Sequence, residues 1–295
     1  MVKNQKHAIL YALSAVFLWS TVATAFKLAL MQLTPLQLVF YASAFSWLFL
    51  AIFLLVNGDY KHVKTAFITK PLLYLKLGIL NPFLYYLILF KAYDLLPAQQ
   101  AQALNYTWAI ALSLLAVPML GQRLRKVDIA ALLFAYLGVL IISTKGQFTE
   151  LNFESPLGVG LALLSTLLWA LYWIFSTKNT DKPVISLFIC FSIGLPFIAL
   201  VLTWQNAWQI PTGKAWLAAA YVGLFEMGIT FVLWLMAMKK AENTASVSNL
   251  IFISPFLSLI FIYTLLGEAI HSTTIIGLGF IVCGLAIQKL VKAKR

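Results

Sequence analysis

Ten apolar stretches, separated by only a few polar residues each, leave this chain little to become except a bundle of membrane-crossing helices. An α-helix rises about 1.5 Å per residue, so roughly 20 residues cross the hydrocarbon core of a bilayer. The stretches run over 8–30, 36–56, 72–93, 98–120, 127–144, 156–177, 184–204, 215–238, 245–266 and 273–291. Barrel strands would instead alternate polar and apolar residues over about ten positions. Links between the stretches are short, and Pro35, Pro71, Pro97, Pro156 and Pro183 close several of them. No soluble domain fits between spans.

Composition removes the soluble alternatives. Of 295 residues, 62% are hydrophobic and 10% charged, and the mean hydropathy is +0.92. A soluble domain carries roughly a quarter charged residues, and no core of this size could hide so much apolar surface from water. The net charge of +12 sits in short runs between apolar stretches, so no nucleic-acid partner is expected. Cys190 and Cys283 fall inside spans, and His7, His62 and His271 lie far apart, so neither a metal nor a cofactor is expected. HExxH and GxSxG are absent, and Gly213-Lys214 lacks the glycine-rich lead of a nucleotide-binding loop, which argues against an enzyme or a primary pump. The basic start MVKNQKH precedes an apolar run too long for a signal peptide and reads as an uncleaved first helix.

Lysine and arginine set an orientation. With the N-terminus cytoplasmic, sixteen of them fall on the inner side and only Lys145 and Lys214 in outer loops. Lys27, Lys76 and Lys91 lie within spans near an interface, where they can snorkel. This bias follows the positive-inside rule for ten spans with both termini in the cytoplasm of a cell whose inner membrane holds the protein. An odd number of spans would break the alternation.

The chain also repeats itself. Shifted by 146, Leu104 falls on Leu250, Leu120-Gly121 on Leu266-Gly267, Phe134 on Phe280 and Gly138 on Gly284; shifted by 150, Leu18-Trp19 falls on Leu168-Trp169. The expected fold is therefore all-α, ten transmembrane helices in two five-helix repeats, residues 1–147 and 148–295. Five spans per repeat is odd, so the second copy inserts upside-down relative to the first, an arrangement that places a substrate site near the midplane between the halves. Ala131 and Gly138, like Gly277 and Gly284, lie seven apart on one helix face and predict a close packing seam.

The segments WSTVATAFK (Trp19 to Lys27), LGQRLRKVDIAALLFAYLGVLII (Leu120 to Ile142) and LLGEAIHSTTIIGLGFIVCGLAI (Leu265 to Ile287) carry a family likeness. With them the chain resembles the drug/metabolite transporter superfamily, specifically its ten-helix EamA-type members, along essentially its whole length. The resemblance implies a cavity enclosed by spans 1, 3, 4, 6, 8 and 9, and export of amino acids or similar metabolites. The family's Gly-Glu pair appears here only at Gly267-Glu268; the first repeat has Gly121-Gln122.

Depth in the membrane selects the candidate site residues. Glu226 lies about 16 Å into the eighth span, near the bilayer centre, where a carboxylate must be paired, hydrated or protonated. It is either a hydrogen-bonded structural acid or a site for a substrate amine or a coupling proton. The 146 shift brings Asn81, followed by Pro82, beside it. Trp19 and Trp169 form a second matched pair, too deep for interfacial anchors, as packing or cavity wall. Gln99, Gln102 and Tyr106 share a face of the fourth span, and Ser246 and Asn249 a face of the ninth, through i, i+3 and i+4 spacing. Their alternative is plain interhelical hydrogen bonding. Pro82 and Pro255 would free backbone carbonyls at depth and allow bending. Together these residues suggest a secondary carrier of small polar metabolites working by alternating access. Drug efflux and import are alternatives within that class, and a channel lies outside it. Expected partners are a small-molecule substrate, protons as candidate coupling ion, and the bilayer; the oligomeric state stays open, a monomer included.

Overall fold

A computed structural model describes residues 3–121, 126–147, 155–176, 179–242, 247 and 250–293. Among the described residues, ten apolar helices stand where the hydropathy places them. Seven are long enough to cross a bilayer as described: α1 (Gln5–Leu30), α2 (Pro35–Val56), α3 (Pro71–Leu95), α4 (Ala98–Leu120), α6 (Pro156–Ser176), α7 (Pro183–Trp204) and α8 (Lys214–Lys240). The others are α5 (Lys126–Ser143), α9 (Leu250–Leu266) and α10 (Ser272–Ala293). A short helix, Val63–Thr69, lies between α2 and α3, and no strand occurs among the described residues.

Local chemistry fixes the helix ends. Thr34 and Gln37 form a reciprocal capping box at the start of α2, with Pro35 in its first turn; proline is tolerated there because that N–H has no helical partner. Gly121 and Gly267, matched by the 146 shift, end α4 and α9 at φ of +65° and +69°. That left-handed conformation closes a helix and suits a residue without Cβ.

The helix pairings obey a two-fold exchange of the halves. Helix α1 packs on α8 and α9, while their counterparts α6 packs on α3 and α4; α2 pairs with its counterpart α7, and α5 with α10. Phe134 and Phe280, equivalent in the repeat, stack on each other with centroids 5.7 Å apart, so they lie beside the axis. The exchange extends to single atoms. A Cβ on Gly78 of α3 would meet the Cys190 carbonyl oxygen and Ile193 Cβ of α7 at 2.8 Å. A Cβ on Gly223 of α8 would meet the Ala42 carbonyl oxygen at 2.2 Å and Phe45 Cβ at 2.8 Å, both on α2. The predicted seam is present too: Gly138 of α5 rests on the Gly277 carbonyl oxygen of α10, which an added Cβ would approach to 2.4 Å.

Charged side chains near the ends of the bundle are used as caps. The Lys27 ammonium donates to the carbonyl oxygens of Tyr93 (2.6 Å) and Leu96 (2.8 Å) at the end of α3, where a positive charge meets the negative end of the helix dipole. Lys27 thus holds α1 to α3, where snorkelling was expected. Glu268 accepts from the backbone N–H of Ala98 (3.0 Å) at the start of α4, the helix end that favours an anion. Replacing Glu268 by Ala should lower stability by about 1 kcal/mol, seen as a lower melting temperature in detergent, while Glu268→Gln should recover part of it. At the other end of the bundle Tyr74 donates to Asp181 at 2.7 Å, and Lys182 pairs with Asp59 at 2.6 Å. That hydrogen bond from Lys182 holds the partly exposed Asp59 carboxyl below the usual carboxylate range, so the pair persists at neutral pH and weakens only as acid protonates Asp59.

Candidate functional site

Both central helices of the exchange, α3 and α8, break their regular turn at matching depth. Wide π-type turns span Ile79–Leu84, just after the tightly packed Gly78, and Val222–Glu226, which contains the tightly packed Gly223. In α3 the turn contains Asn81, which is extended at φ −141°, ψ 117°, and a cis Asn81–Pro82 bond. In α8 the carbonyls loosened by the turn find hydroxyl donors: Ser46 Oγ to Met227 O at 3.0 Å, and Thr230 Oγ1 to Phe225 O. Such substitution of side-chain for backbone partners is what allows a helix to break inside lipid. The result is that Glu226 ends the wide turn and faces inward.

It faces a cavity of about 510 Å³ lined by α1, α3, α4, α6, α8 and α9, with Leu285 of α10. The volume is that of a small-molecule site. From α1 and α6 come the matched Trp19 and Trp169; from α3, Tyr85 and Tyr93; from α4, Gln102, Asn105 and Tyr106; from α8, Glu226, Phe231 and Trp234. Trp19 meets Phe231 edge-on at 5.7 Å and Trp234 at 5.5 Å. Trp169 stacks on Tyr85 at 4.5 Å and meets Phe231 at 6.2 Å. The two tryptophans are therefore wall, bridged by Phe231. Tyr86 donates to Glu226 Oε1 at 3.2 Å, and Asn105 donates to Ser165 Oγ at 3.2 Å.

Five of the sequence candidates line this cavity: Trp19, Gln102, Tyr106, Trp169 and Glu226. Gln99 does not. Its amide bonds the Ala269 carbonyl (2.9 Å), the His271 N–H (3.1 Å) and Thr274 Oγ1 (2.9 Å), tying α4 to the α9–α10 link. Asn81 is also off the lining; extended within the wide turn, it is buried beside Tyr172. Pro82 packs against Gly194 of α7, and Pro255 sits where a 3₁₀ turn, Leu250–Ile253, passes into the α-helix Ser254–Phe261. Both prolines thus stand at irregular turns. Ser246 and Asn249 lie outside the described residues. Tyr85, Tyr86 and Trp234 were not singled out from sequence, since aromatic residues in apolar runs give no directional signal; Asn105, beside Tyr106, was also missed.

The EamA-like transporter family profile matches residues 6–144 and again 156–288. The chain is 24% identical over 292 residues to a protein of Ancylobacter novellus named aromatic amino acid exporter YddG, covering 98% of this chain and 99% of that one. It is 26% identical over 282 residues to an uncharacterized transporter of Archaeoglobus fulgidus, covering 93% and 94%. A crystal structure 22% identical in sequence superposes with a TM-score of 0.69 over 99% of both chains, which shows the shared fold. The chain belongs to the EamA-like transporter family, and it is a multi-pass membrane transporter.

Proposed function

We propose that this transporter is a secondary carrier that takes small polar metabolites into the cavity between its halves and exports amino acids or related compounds by alternating access. The observation that carries this reading is the cavity itself, lined by pairs of helices exchanged by the two-fold and carrying the Glu226 carboxylate in its wall. Carriers built from inverted halves work by rocking one half against the other around such a site. A pore would instead need a continuous lining with repeated weak sites. The exporter name of the Ancylobacter novellus relative supports amino acids as the substrate class. The excess of Lys and Arg on one side supports both termini in the cytoplasm of the inner membrane. Glu226 can take either a proton or a substrate amine, and that competition would couple proton entry to substrate exit.

Proteoliposomes loaded with unlabelled phenylalanine should take up labelled phenylalanine with saturation and faster than empty ones, because exchange bypasses the return of the empty carrier. Glu226→Gln should lose the pH dependence of this flux. Non-saturating flux indifferent to internal phenylalanine would overturn the carrier reading, and undiminished, still pH-dependent exchange in Glu226→Gln would remove the acid from the mechanism.

A further inference from the structure

The charge in the cavity is one-sided. Glu226 supplies a carboxylate, and among the described lining residues there is no Lys, Arg or His. Lys27, on α1 beside the lining residue Phe26, has its ammonium held by the carbonyl oxygens that end α3. A zwitterionic amino acid would therefore find an ionic partner for its ammonium group and only neutral donors, such as Gln102 and Asn105, for its carboxylate. An ion brought out of water without a counter-charge is strongly disfavoured. The walls favour the same sign. Trp19, Phe231 and Trp169 form a connected aromatic surface, and the faces of such rings attract cations, tryptophan most of all.

We infer that the cavity selects organic monocations: aromatic or aliphatic amines whose carboxyl group is absent, esterified or amidated, in preference to free zwitterionic amino acids. The inference rests on reading this cavity as the substrate site, and within that reading it favours the related amines over free amino acids. Glu226 binds the ammonium, the tryptophans bound the organic body, and Tyr86 is a positioning residue that orients the carboxylate through its 3.2 Å hydrogen bond.

Four phenyl compounds separate charge from shape: phenethylamine (cation), phenylalanine (zwitterion), 3-phenylpropanoate (anion) and 2-phenylethanol (neutral). Binding to the purified full chain in detergent is read by quenching of its tryptophan fluorescence. Phenethylamine should bind about tenfold more tightly than phenylalanine, and 3-phenylpropanoate weakest of the four. In Glu226→Gln phenethylamine should fall to the level of 2-phenylethanol, whose own affinity stays within about twofold of the wild type. Tyr86→Phe should weaken phenethylamine selectively and leave 2-phenylethanol unmoved. Equal or tighter binding of phenylalanine in the wild type overturns the inference, as does absence of binding by all four, whether or not the variants fold. Saturable phenylalanine exchange without an advantage for phenethylamine sinks this inference and leaves the carrier standing. Phenethylamine binding in the expected order without any flux does the reverse.

Discussion

Adding a single methyl group at position 223 is expected to cut transport severely while the bundle still assembles. The Cβ of Gly223→Ala would lie 2.2 Å from the Ala42 carbonyl oxygen and 3.0 Å from the Ala42 carbonyl carbon. Both are backbone atoms of α2 and cannot swing aside as a side chain would. Helix α8 must therefore retreat from α2 at the first turn of the break that aims Glu226 into the cavity. Overpacking of this kind costs about 1–3 kcal/mol. Borne by the conformation that presents the carboxylate, that cost corresponds to roughly a 5- to 150-fold loss of affinity. Exchange flux and ligand-induced fluorescence quenching should fall together, with the melting temperature reduced by a smaller margin. Wild-type affinity in Gly223→Ala would mean that the aim of Glu226 does not depend on this contact.

The second large effect falls on stability. Gly138→Leu drives a bulky side chain into the α5–α10 seam, where even a Cβ would meet the Gly277 carbonyl oxygen at 2.4 Å and Ile281 Cγ1 at 2.8 Å. From the other side a Cβ on Gly277 would meet the Gly138 carbonyl oxygen at 2.6 Å. In lipid no hydrophobic force pushes helices together, so association depends on close packing of this sort. Gly138→Leu should destabilise the protein by about 3 kcal/mol or more, lowering its melting temperature and its yield in detergent. Gly279 supplies the control in the same seam pair, on α10, because nothing lies within 4 Å of its would-be Cβ. Gly279→Ala should be neutral or stabilise by up to about 1 kcal/mol through helix propensity. Equal losses from both substitutions would refute the seam.

Much of this molecule could be read from the order of its residues because lipid permits few solutions. Runs of apolar residues had to be helices, and the matched glycines and tryptophans marked the internal exchange. Gly138 and Gly277 proved to touch, and Trp19 and Trp169 proved to be cavity wall. Glu226 stood out because depth alone makes an acid anomalous. The residues that misled did so for a geometric reason. Face arguments assume an unbroken period of 3.6, and the wide turns of α3 and α8 insert extra backbone that rotates every later residue of the helix. Asn81 sits inside its own wide turn at φ −141°, ψ 117°, so the repeat that set it beside the position of Glu226 did not carry it to the cavity wall. Gln99 shows the other weakness: a polar residue at the first turn of a span has the same spacing whether it points at a cavity or at a neighbouring turn. Lys27 was placed at the correct depth, but its partners, the carbonyls ending α3, lie about seventy positions away in the chain and no local pattern announces them.

Helices α5 and α10 cling to each other and turn much of their remaining surface, including Leu133, Tyr136 and Leu137, outward. Among the described residues, they give only Leu285 to the walls around Glu226. Four spans per half would enclose essentially the same chamber, with the outlying pair serving as a buttress. Descent could then reshape what the chamber accepts without loosening the buttress, or strengthen the buttress without altering the cargo.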